Sequence, residues 1–174
     1  MNARRLHPGF FTALWLMPIL ALLQTSLAGH FAIRGALPGI TLIAVVNWGI
    51  LRGTDEGMLW AFLGGLSLDM FSGWPIGTST VSLVVVASLV SLGEGTFIRT
   101  HALLAPATVF GATLLYYSIA LFILESTQHR VDWITDLQGI VFPIAVYNAL
   151  LNIPGFWLSR RLEARIYPTP RANW

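Results

Sequence analysis

The residues most able to do chemistry lie in one short run, 65-GLSLDMFSGWPIGTST-80, where an aspartate stands near the end of an apolar segment. A carboxylate among apolar residues is typical of proton relays, cation sites and substrate contacts. It is equally typical of a structural role, in which its oxygens accept hydrogen bonds from a neighbouring turn or helix. The sequence therefore raises two alternatives for Asp69, a functional carboxylate and a structural acceptor.

Catalysis and ion transfer by Asp69 find little support in the rest of the chain. Relays usually contain several ionisable groups within the membrane, and we identify no second carboxylate on a facing apolar segment. There is no HExxH or GxSxG motif, and the histidines lack the spacing of metal ligands. We therefore predict no catalytic residue, no metal and no cofactor. We favour the structural role, with donors drawn from Gln24, Thr25, Tyr116, Tyr117 and the hydroxyls of residues 78–82.

The segment 73-GWPIG-77 is predicted to end the helix that carries Asp69, because Pro75 removes a backbone donor and fixes its own φ angle. Trp74 has the amphipathic ring that is common at membrane interfaces. Asp69 then lies about one turn below the outer membrane surface. A carboxylate there costs less than the roughly 2.5–3.5 kcal/mol expected at the bilayer centre.

Small residues accompany Asp69 at every fourth position, namely Gly57, Ala61, Gly65, Gly73 and Gly77. Because four residues exceed one helical turn by only about 40°, Gly65, Asp69 and Gly73 are predicted to share one helix face. Small residues on such a face let another helix approach closely. That helix belongs either to a partner protein or to this chain, and packing within the chain is the favoured interpretation.

The composition is that of an integral membrane protein. Hydrophobic residues make up 55 % of the 174, charged residues 10 %, and the mean hydropathy is +0.69. Soluble domains carry about 25 % charged residues. The absence of cysteine excludes disulfides, thiolate metal sites and a cysteine nucleophile, and the net charge of +2 is too small to suggest a nucleic-acid partner.

Six apolar stretches occupy residues 10–27, 37–51, 57–71, 76–92, 103–124 and 137–158. A spanning helix needs about 20 residues, a length that the first, fifth and sixth stretches reach and the others approach. Because backbone hydrogen bonds must be satisfied inside lipid, each stretch is predicted to be a helix. The sequence thus predicts an all-α bundle of six transmembrane helices over residues 1–174, with a basic tail at 159–174.

The arginines predict the orientation of this bundle. With six spans, eight of the ten arginines fall on the side of the two termini, and only Arg34 and Arg130 fall on the other. Cytoplasmic loops carry the excess of positive charge, so both termini are predicted to be cytoplasmic. Although Arg4 and Arg5 resemble the start of a signal peptide, the apolar stretch that follows is long, and we interpret it as a retained first span.

Three further groups of residues lie outside this motif, and two of them have two interpretations each. Asn47, Asn148 and Asn152 are predicted to bond across helices, with a cavity lining as the alternative. The basic residues of the tail either lie as a short amphipathic helix on anionic headgroups or simply anchor the topology. The outer segment 131–137 is predicted to be a short interfacial helix that presents Val131, Trp133, Ile134 and Leu137 as a docking surface.

The chain resembles the MreD family of bacterial rod shape-determining proteins. The resemblance is carried by six spans, by 37-LPGI-40 and 51-LRG-53, and above all by the pattern G-L-x-x-D-x-x-x-G-x-P-x-G. Its motif residues here are Gly65, Leu66, Asp69, Gly73, Pro75 and Gly77. The layout covers nearly the whole chain, whereas the motif itself covers only about residues 64–78.

The resemblance implies a non-enzymatic subunit of the cell-elongation (rod) complex in the bacterial inner membrane. It implies binding to MreC, a single-span membrane protein, and through MreC a link to MreB and to the glycosyltransferase and transpeptidase that make side-wall peptidoglycan. The predicted partner-binding residues are Gly65, Gly73, Trp74, Trp133 and Ile134. The family is also similar in fold to substrate-binding subunits of energy-coupling-factor transporters, which makes a vitamin-binding subunit the alternative function.

Overall fold

The computed structural model describes residues 8–26, 38–92, 104–127 and 132–168. Within these ranges the regular structure is helical throughout, which confirms the all-α prediction for them. We label the helices α1 to α6 in chain order. They are α1 (Pro8–Ser26), α2 (Ile40–Arg52), α3 (Thr54–Phe71), α4 (Thr78–Leu92), α5 (Leu104–Ser126) and α6 (Trp133–Ile166).

The boundary between α2 and α3 is a single residue, Gly53, whose φ of 89° only glycine adopts readily. Asp55 and Glu56 fall in the first turn of α3, where the helix dipole favours negative charge. The third helix therefore begins at Thr54, three residues earlier than the apolar stretch alone predicts.

Helix α6 is longer than predicted at both ends. One α-helical turn (Trp133–Asp136) and a π-helical segment (Leu137–Val141) lead directly into the α-helix Phe142–Ile166. Residues 133–137 of the predicted interfacial helix are helical, and they are continuous with the last span because the π-helical segment continues the helix instead of breaking it. At the other end, residues 159–166 of the predicted tail continue α6 rather than forming an independent amphipathic helix.

Helix α2 is the centre of the bundle and packs against each of the other five helices. Ten of its thirteen residues are buried, among them Val45, Val46 and Trp48. Helix α3 packs against α1, α2 and α4, while α5 packs against α4 and α6. The large apolar side chains that these contacts leave exposed, such as Trp15 and Phe122, are those expected of a bundle surrounded by lipid.

Three helices of the described chain are long and apolar enough to cross a membrane, within Gly9–Ser26, Leu104–Ser126 and Trp133–Ile166. They are the first, fifth and sixth, as the sequence predicts. Helices α2 and α4 are apolar but shorter. Helix α3 has 18 residues, and three of them are acidic, namely Asp55, Glu56 and Asp69.

Candidate functional site

The turn between α3 and α4 brings the motif residues together. Ser72 ends α3 by donating its backbone N–H to the carbonyl of Leu68, at 2.7 Å. Gly73 and Gly77 then adopt φ angles of 71° and 100°. Residues with a Cβ rarely adopt this backbone conformation. Between the two glycines, Pro75 accepts a hydrogen bond on its carbonyl from the N–H of Thr78, the first residue of α4.

Asp69 lies directly beneath this turn and is only 4 % exposed. Its Oδ1 accepts a hydrogen bond from the N–H of Ser79 at 2.7 Å. Its Oδ2 accepts from the N–H of Gly77 at 2.9 Å, and from the N–H and Oγ1 of Thr80 at 3.1 and 2.7 Å. The first N–H groups of a helix have no partner within the helix, so Asp69 supplies from α3 the acceptor that α4 lacks.

Asp69, a residue of α3, therefore caps the N-terminus of α4. A carboxylate at a helix N-terminus gains both charge-assisted hydrogen bonds and a favourable interaction with the helix dipole. All four hydrogen bonds to Asp69 come from α4 and the residue before it, and none from Gln24, Thr25, Tyr116 or Tyr117. Among the predicted donors, only the Thr80 hydroxyl of the 78–82 group contributes.

Gly65 lies one helical turn before Asp69 and contacts the same end of α4. A Cβ placed on Gly65 would lie 2.4 Å from Cα of Thr80 and 2.8 Å from its nitrogen. Only glycine therefore permits this approach of α3 to α4, and the small residue serves packing within the chain. Gly73, in contrast, lies beyond the end of α3 at Phe71, so the prediction that it shares a helix face with Gly65 and Asp69 is wrong.

A cavity of about 230 Å³ opens beside the Asp69 cap. Its walls combine apolar, hydroxyl and aromatic side chains from α1, α3, α4, α5 and the turn. Five of the residues singled out above as possible donors to Asp69 lie here, Ser79 among them, together with Trp74. The lining residues are Gln24, Thr25, Leu68, Phe71, Ser72, Trp74, Ser79, Tyr116 and Tyr117.

A second buried carboxylate, Glu56, was not singled out by the sequence analysis. It is 8 % exposed, and its Oε1 accepts from the Arg52 guanidinium at 3.1 Å and from the Tyr167 hydroxyl at 2.9 Å. Its Oε2 accepts from the indole N–H of Trp48 at 3.0 Å. Tyr167 in turn accepts the N–H of Gly9, at 3.2 Å. The Glu56 cluster thus joins the ends of α1, α2, α3 and α6.

The Tyr167 side chain is protected on a second side by Arg52, whose guanidinium carbon lies 3.6 Å from the centre of the phenol ring. Burial raises the pKa of Tyr167, and its hydrogen bond to Glu56 raises it further. The hydroxyl therefore remains protonated and able to donate to Glu56. The Arg52–Glu56 pair at i, i+4 spacing was the one local signal in the sequence for this cluster.

The asparagines bond across helices, as the favoured interpretation predicts. Asn148 accepts from the N–H of Gly39 at 2.8 Å and donates to Thr113 at 3.2 Å. Asn47 donates to Asn152 at 2.7 Å. Together with Gln24, which accepts the N–H of Thr41 at 3.0 Å, these side chains fix the central helix α2.

The predicted docking residues of the start of α6 lie near the end of α5. Asp132 caps α6 by accepting from Thr135, and these hydrogen bonds lower the pKa of its carboxyl. The Trp133 indole donates to Glu125 at 2.9 Å, while Ile134 is 71 % exposed. In the turn before α4, Trp74 is half-buried and Ile76 is 86 % exposed.

Several residues used for the orientation and for the metal argument lie outside the described residues. They are Arg4, Arg5, His30, Arg34, Arg99, His101, His129, Arg130 and Arg171, and Val131 of the predicted outer helix also lies outside them. Within the described part of the chain, no three His, Asp or Glu side chains form a group that could hold a metal ion.

Comparison with known proteins gives a match to one protein family. Residues 5–160 match the family model described as rod shape-determining protein MreD. No curated protein and no solved structure matches the chain significantly.

Proposed function

Since this chain belongs to the MreD family of rod shape-determining membrane proteins, we propose that it is a non-enzymatic scaffold of the cell-elongation complex. In this proposal it binds MreC and thereby helps to organise side-wall peptidoglycan synthesis, with MreB and the glycosyltransferase and transpeptidase as indirect partners. The observation that carries the proposal is the family match over residues 5–160.

The proposed topology has six spans in one transmembrane domain, with both termini in the cytoplasm of the bacterial cell. Its supports are the six helices of the described residues and the excess of arginine on the side of the termini. The Glu56 cluster then lies at the cytoplasmic ends of α1, α2, α3 and α6, and the turn at 73–77 lies at the outer surface. The similarity in fold to energy-coupling-factor subunits remains a prediction.

A scaffold role agrees with the state of the two buried carboxylates. The oxygens of Asp69 accept four hydrogen bonds, and those of Glu56 accept from Arg52, Trp48 and Tyr167. A carboxylate committed to such bonds holds helices in place and has little capacity left to accept a proton from a substrate. A non-catalytic role is supported because the oxygens of both carboxylates already accept hydrogen bonds from groups that hold the helices together.

The proposed contact with MreC is the apolar part of the outer surface. Ile76, in the turn before α4, and Ile134, at the start of α6, are 86 % and 71 % exposed, and both lie at the outer end of the bundle in the proposed topology. Trp74 and Trp133 stand beside them in sequence, and aromatic residues are enriched at binding interfaces. Gly73 shapes the same turn, whereas Gly65, also a predicted partner-binding residue, lies beneath it against Thr80.

The experiment is co-purification of MreC with the tagged chain from solubilised membranes, scored together with restoration of rod shape in depleted cells. Ile76→Ala and Ile134→Ala combined are expected to weaken MreC binding about thirtyfold, which corresponds to the roughly 2 kcal/mol of one interface hot spot. Leu92→Ala is the matched control, because Leu92 is 77 % exposed at the opposite end of α4. Recovery of MreC at the wild-type level with the double variant would refute the contact surface. Failure of the wild-type chain to recover MreC would refute the function.

The alternative, a vitamin-binding transporter subunit, has one favourable observation, the cavity of about 230 Å³ beside Trp74, Tyr116 and Tyr117. This volume lies below the roughly 300–1,000 Å³ of typical ligand pockets. The family match favours the cell-shape function instead.

A further inference from the structure

An apolar groove runs along the side of the bundle, away from the Asp69 cap. It has a volume of about 310 Å³ and lies between α1, α2 and α6, with α3 behind it. Leu16 and Leu20 of α1 form one wall, and Leu158 and Leu162 of α6 form the other. Trp48 and Trp60 close its floor, with their rings stacked at 3.9 Å. The polar groups of this lining are the Ser159 hydroxyl and the indole N–H groups of Trp48 and Trp60, and the other side chains are apolar, so the groove suits a hydrocarbon.

The length of the groove distinguishes between possible occupants. Along α2 the lining extends from Ile40 to Trp48, about 12 Å at the helical rise per residue. A partner's membrane helix requires an interface along much of a hydrocarbon core about 30 Å thick. The groove covers less than half of that depth, which matches an acyl chain from one leaflet.

The inner end of the groove is basic. Leu158 and Leu162 also line a second cavity, of about 130 Å³, together with Arg161 and Arg165. These four residues recur at i, i+3, i+4 and i+7 and therefore share one face of α6. The hydrocarbon groove and the two guanidiniums are thus consecutive parts of one surface.

Both guanidiniums are available to a ligand. Among the described residues, no carboxylate lies within 4.0 Å of Arg161 or Arg165, and the ion pairs of this region belong to Arg52. The guanidinium carbon of Arg161 lies 3.5 Å from the centre of the Trp157 ring, which fixes its position. Arginine beside an apolar groove is the usual arrangement for binding a phosphate headgroup at the membrane surface.

We propose that this groove and arginine pair form a binding site for one anionic phospholipid. One acyl chain lies along the groove between α1 and α6, and the headgroup phosphate lies between Arg161 and Arg165. Phosphatidylglycerol fits this chemistry better than phosphatidylethanolamine, because it has no ammonium group to compete with the arginines. The bound lipid would cover apolar surface that the protein itself leaves open, independently of MreC.

The test is a titration of the purified full-length protein in detergent, followed by native mass spectrometry. Dioleoyl-phosphatidylglycerol and dioleoyl-phosphatidylethanolamine serve as probes with the same acyl chains. Arg161→Gln and Arg165→Gln are each expected to weaken phosphatidylglycerol binding about fivefold, the effect of one basic residue near an anionic headgroup. Arg160→Gln removes the same charge from a different face of the helix and is expected to change the affinity less than twofold. Equal affinity for the two lipids, or equal loss in all three variants, would overturn the site.

A second pair of variants tests the groove itself. Ala44 lines the groove, so Ala44→Phe fills it and is expected to reduce phosphatidylglycerol binding at least fivefold. Ala107→Phe places the same side chain at an exposed position of α5 as a control. Unchanged lipid binding by Ala44→Phe would overturn the acyl-chain placement. Loss of MreC recovery with lipid binding unchanged would assign the groove to a partner helix and also overturn the proposal. If Ala44→Phe does not fold, the three arginine variants decide.

Discussion

At the residue scale, the two buried carboxylates hold the helices together in different ways. Among the described residues, Asp69 accepts only from the turn and first residues of α4, within eleven positions along the chain. Glu56 accepts from side chains of α2 and from Tyr167, which lies 111 positions away. Asp69 therefore fixes α3 against α4 and the turn between them. Glu56 connects the last helix to α2 and α3 through Tyr167.

Substitution of Asp69 tests the cap. Because all four partners are donors, Asp69→Asn turns an amide N–H toward at least one of them, and we expect it to destabilise the protein by about 2 kcal/mol. Asp69→Ala leaves several buried N–H groups without a partner and is expected to cost about 3 kcal/mol or more. Asp55→Asn is the control, since Asp55 is exposed in the first turn of α3. Thermal unfolding in detergent measures the difference, and wild-type stability of Asp69→Ala would refute the cap.

Tyr167→Phe tests the Glu56 cluster by removing a single hydroxyl. Loss of the hydrogen bonds to Glu56 and Gly9 is expected to lower the free energy of unfolding by about 1–2 kcal/mol. Tyr147→Phe is the matched control, because the Tyr147 hydroxyl has no hydrogen bond among the described residues. Equal effects of the two substitutions, measured by the same unfolding assay, would show that the cluster contributes nothing specific.

Asp69 was predictable from the sequence and most of the Glu56 cluster was not, for a physical reason. The donors to Asp69 follow it within a proline-containing turn, so the local sequence already indicates an acceptor beneath a helix start. The partners of Glu56 come from both ends of the chain and meet only when α1 and α6 pack beside α2. Composition and residue spacing therefore predict the local pair of Glu56 with Arg52, but they do not predict the contacts with residues from the two ends of the chain.

At the element scale, close approach of α3 and α4 is the main consequence of the glycine pattern. The rhythm of small residues correctly indicated tight packing, but it did not show where the helix ends. Gly73 continues the four-residue spacing and yet lies in the turn, with φ of 71°. Hydrophobic periodicity likewise missed the continuity of α6, because the π-helical segment Leu137–Val141 joins a polar helix start to the apolar span.

Gly65→Ala tests this packing with the smallest possible change. The added methyl group would contact the backbone of Thr80, so α3 and α4 have to separate, at an expected cost of about 1–3 kcal/mol. Gly111→Ala is the control in α5, because a Cβ there meets nothing within 4 Å, and the better helix propensity of alanine is expected to stabilise it slightly. Unfolding in a detergent series compares the two. An unchanged midpoint for Gly65→Ala would contradict the close approach.

At the scale of the whole molecule, the proposed topology is a six-span bundle with both termini inside the cell. The natural absence of cysteine makes the topology directly testable. A cysteine at Thr127, after α5, is expected to react with an impermeant thiol reagent on intact spheroplasts. A cysteine at Ala164, near the end of α6, is expected to react only after permeabilisation. The reverse pattern would invert the orientation, and labelling of both from outside would contradict the span count.

The family and the exposed apolar side chains of the outer end support the proposal that this chain binds MreC there as a scaffold. Site-specific photocrosslinking in living cells tests it most directly, with a photoreactive amino acid at Ile76, Ile134 or Leu92. All three side chains are strongly exposed, at 86, 71 and 77 %. We expect MreC adducts from positions 76 and 134 and none from position 92. Adducts of equal intensity at all three positions, or none at 76 and 134, would contradict the proposal.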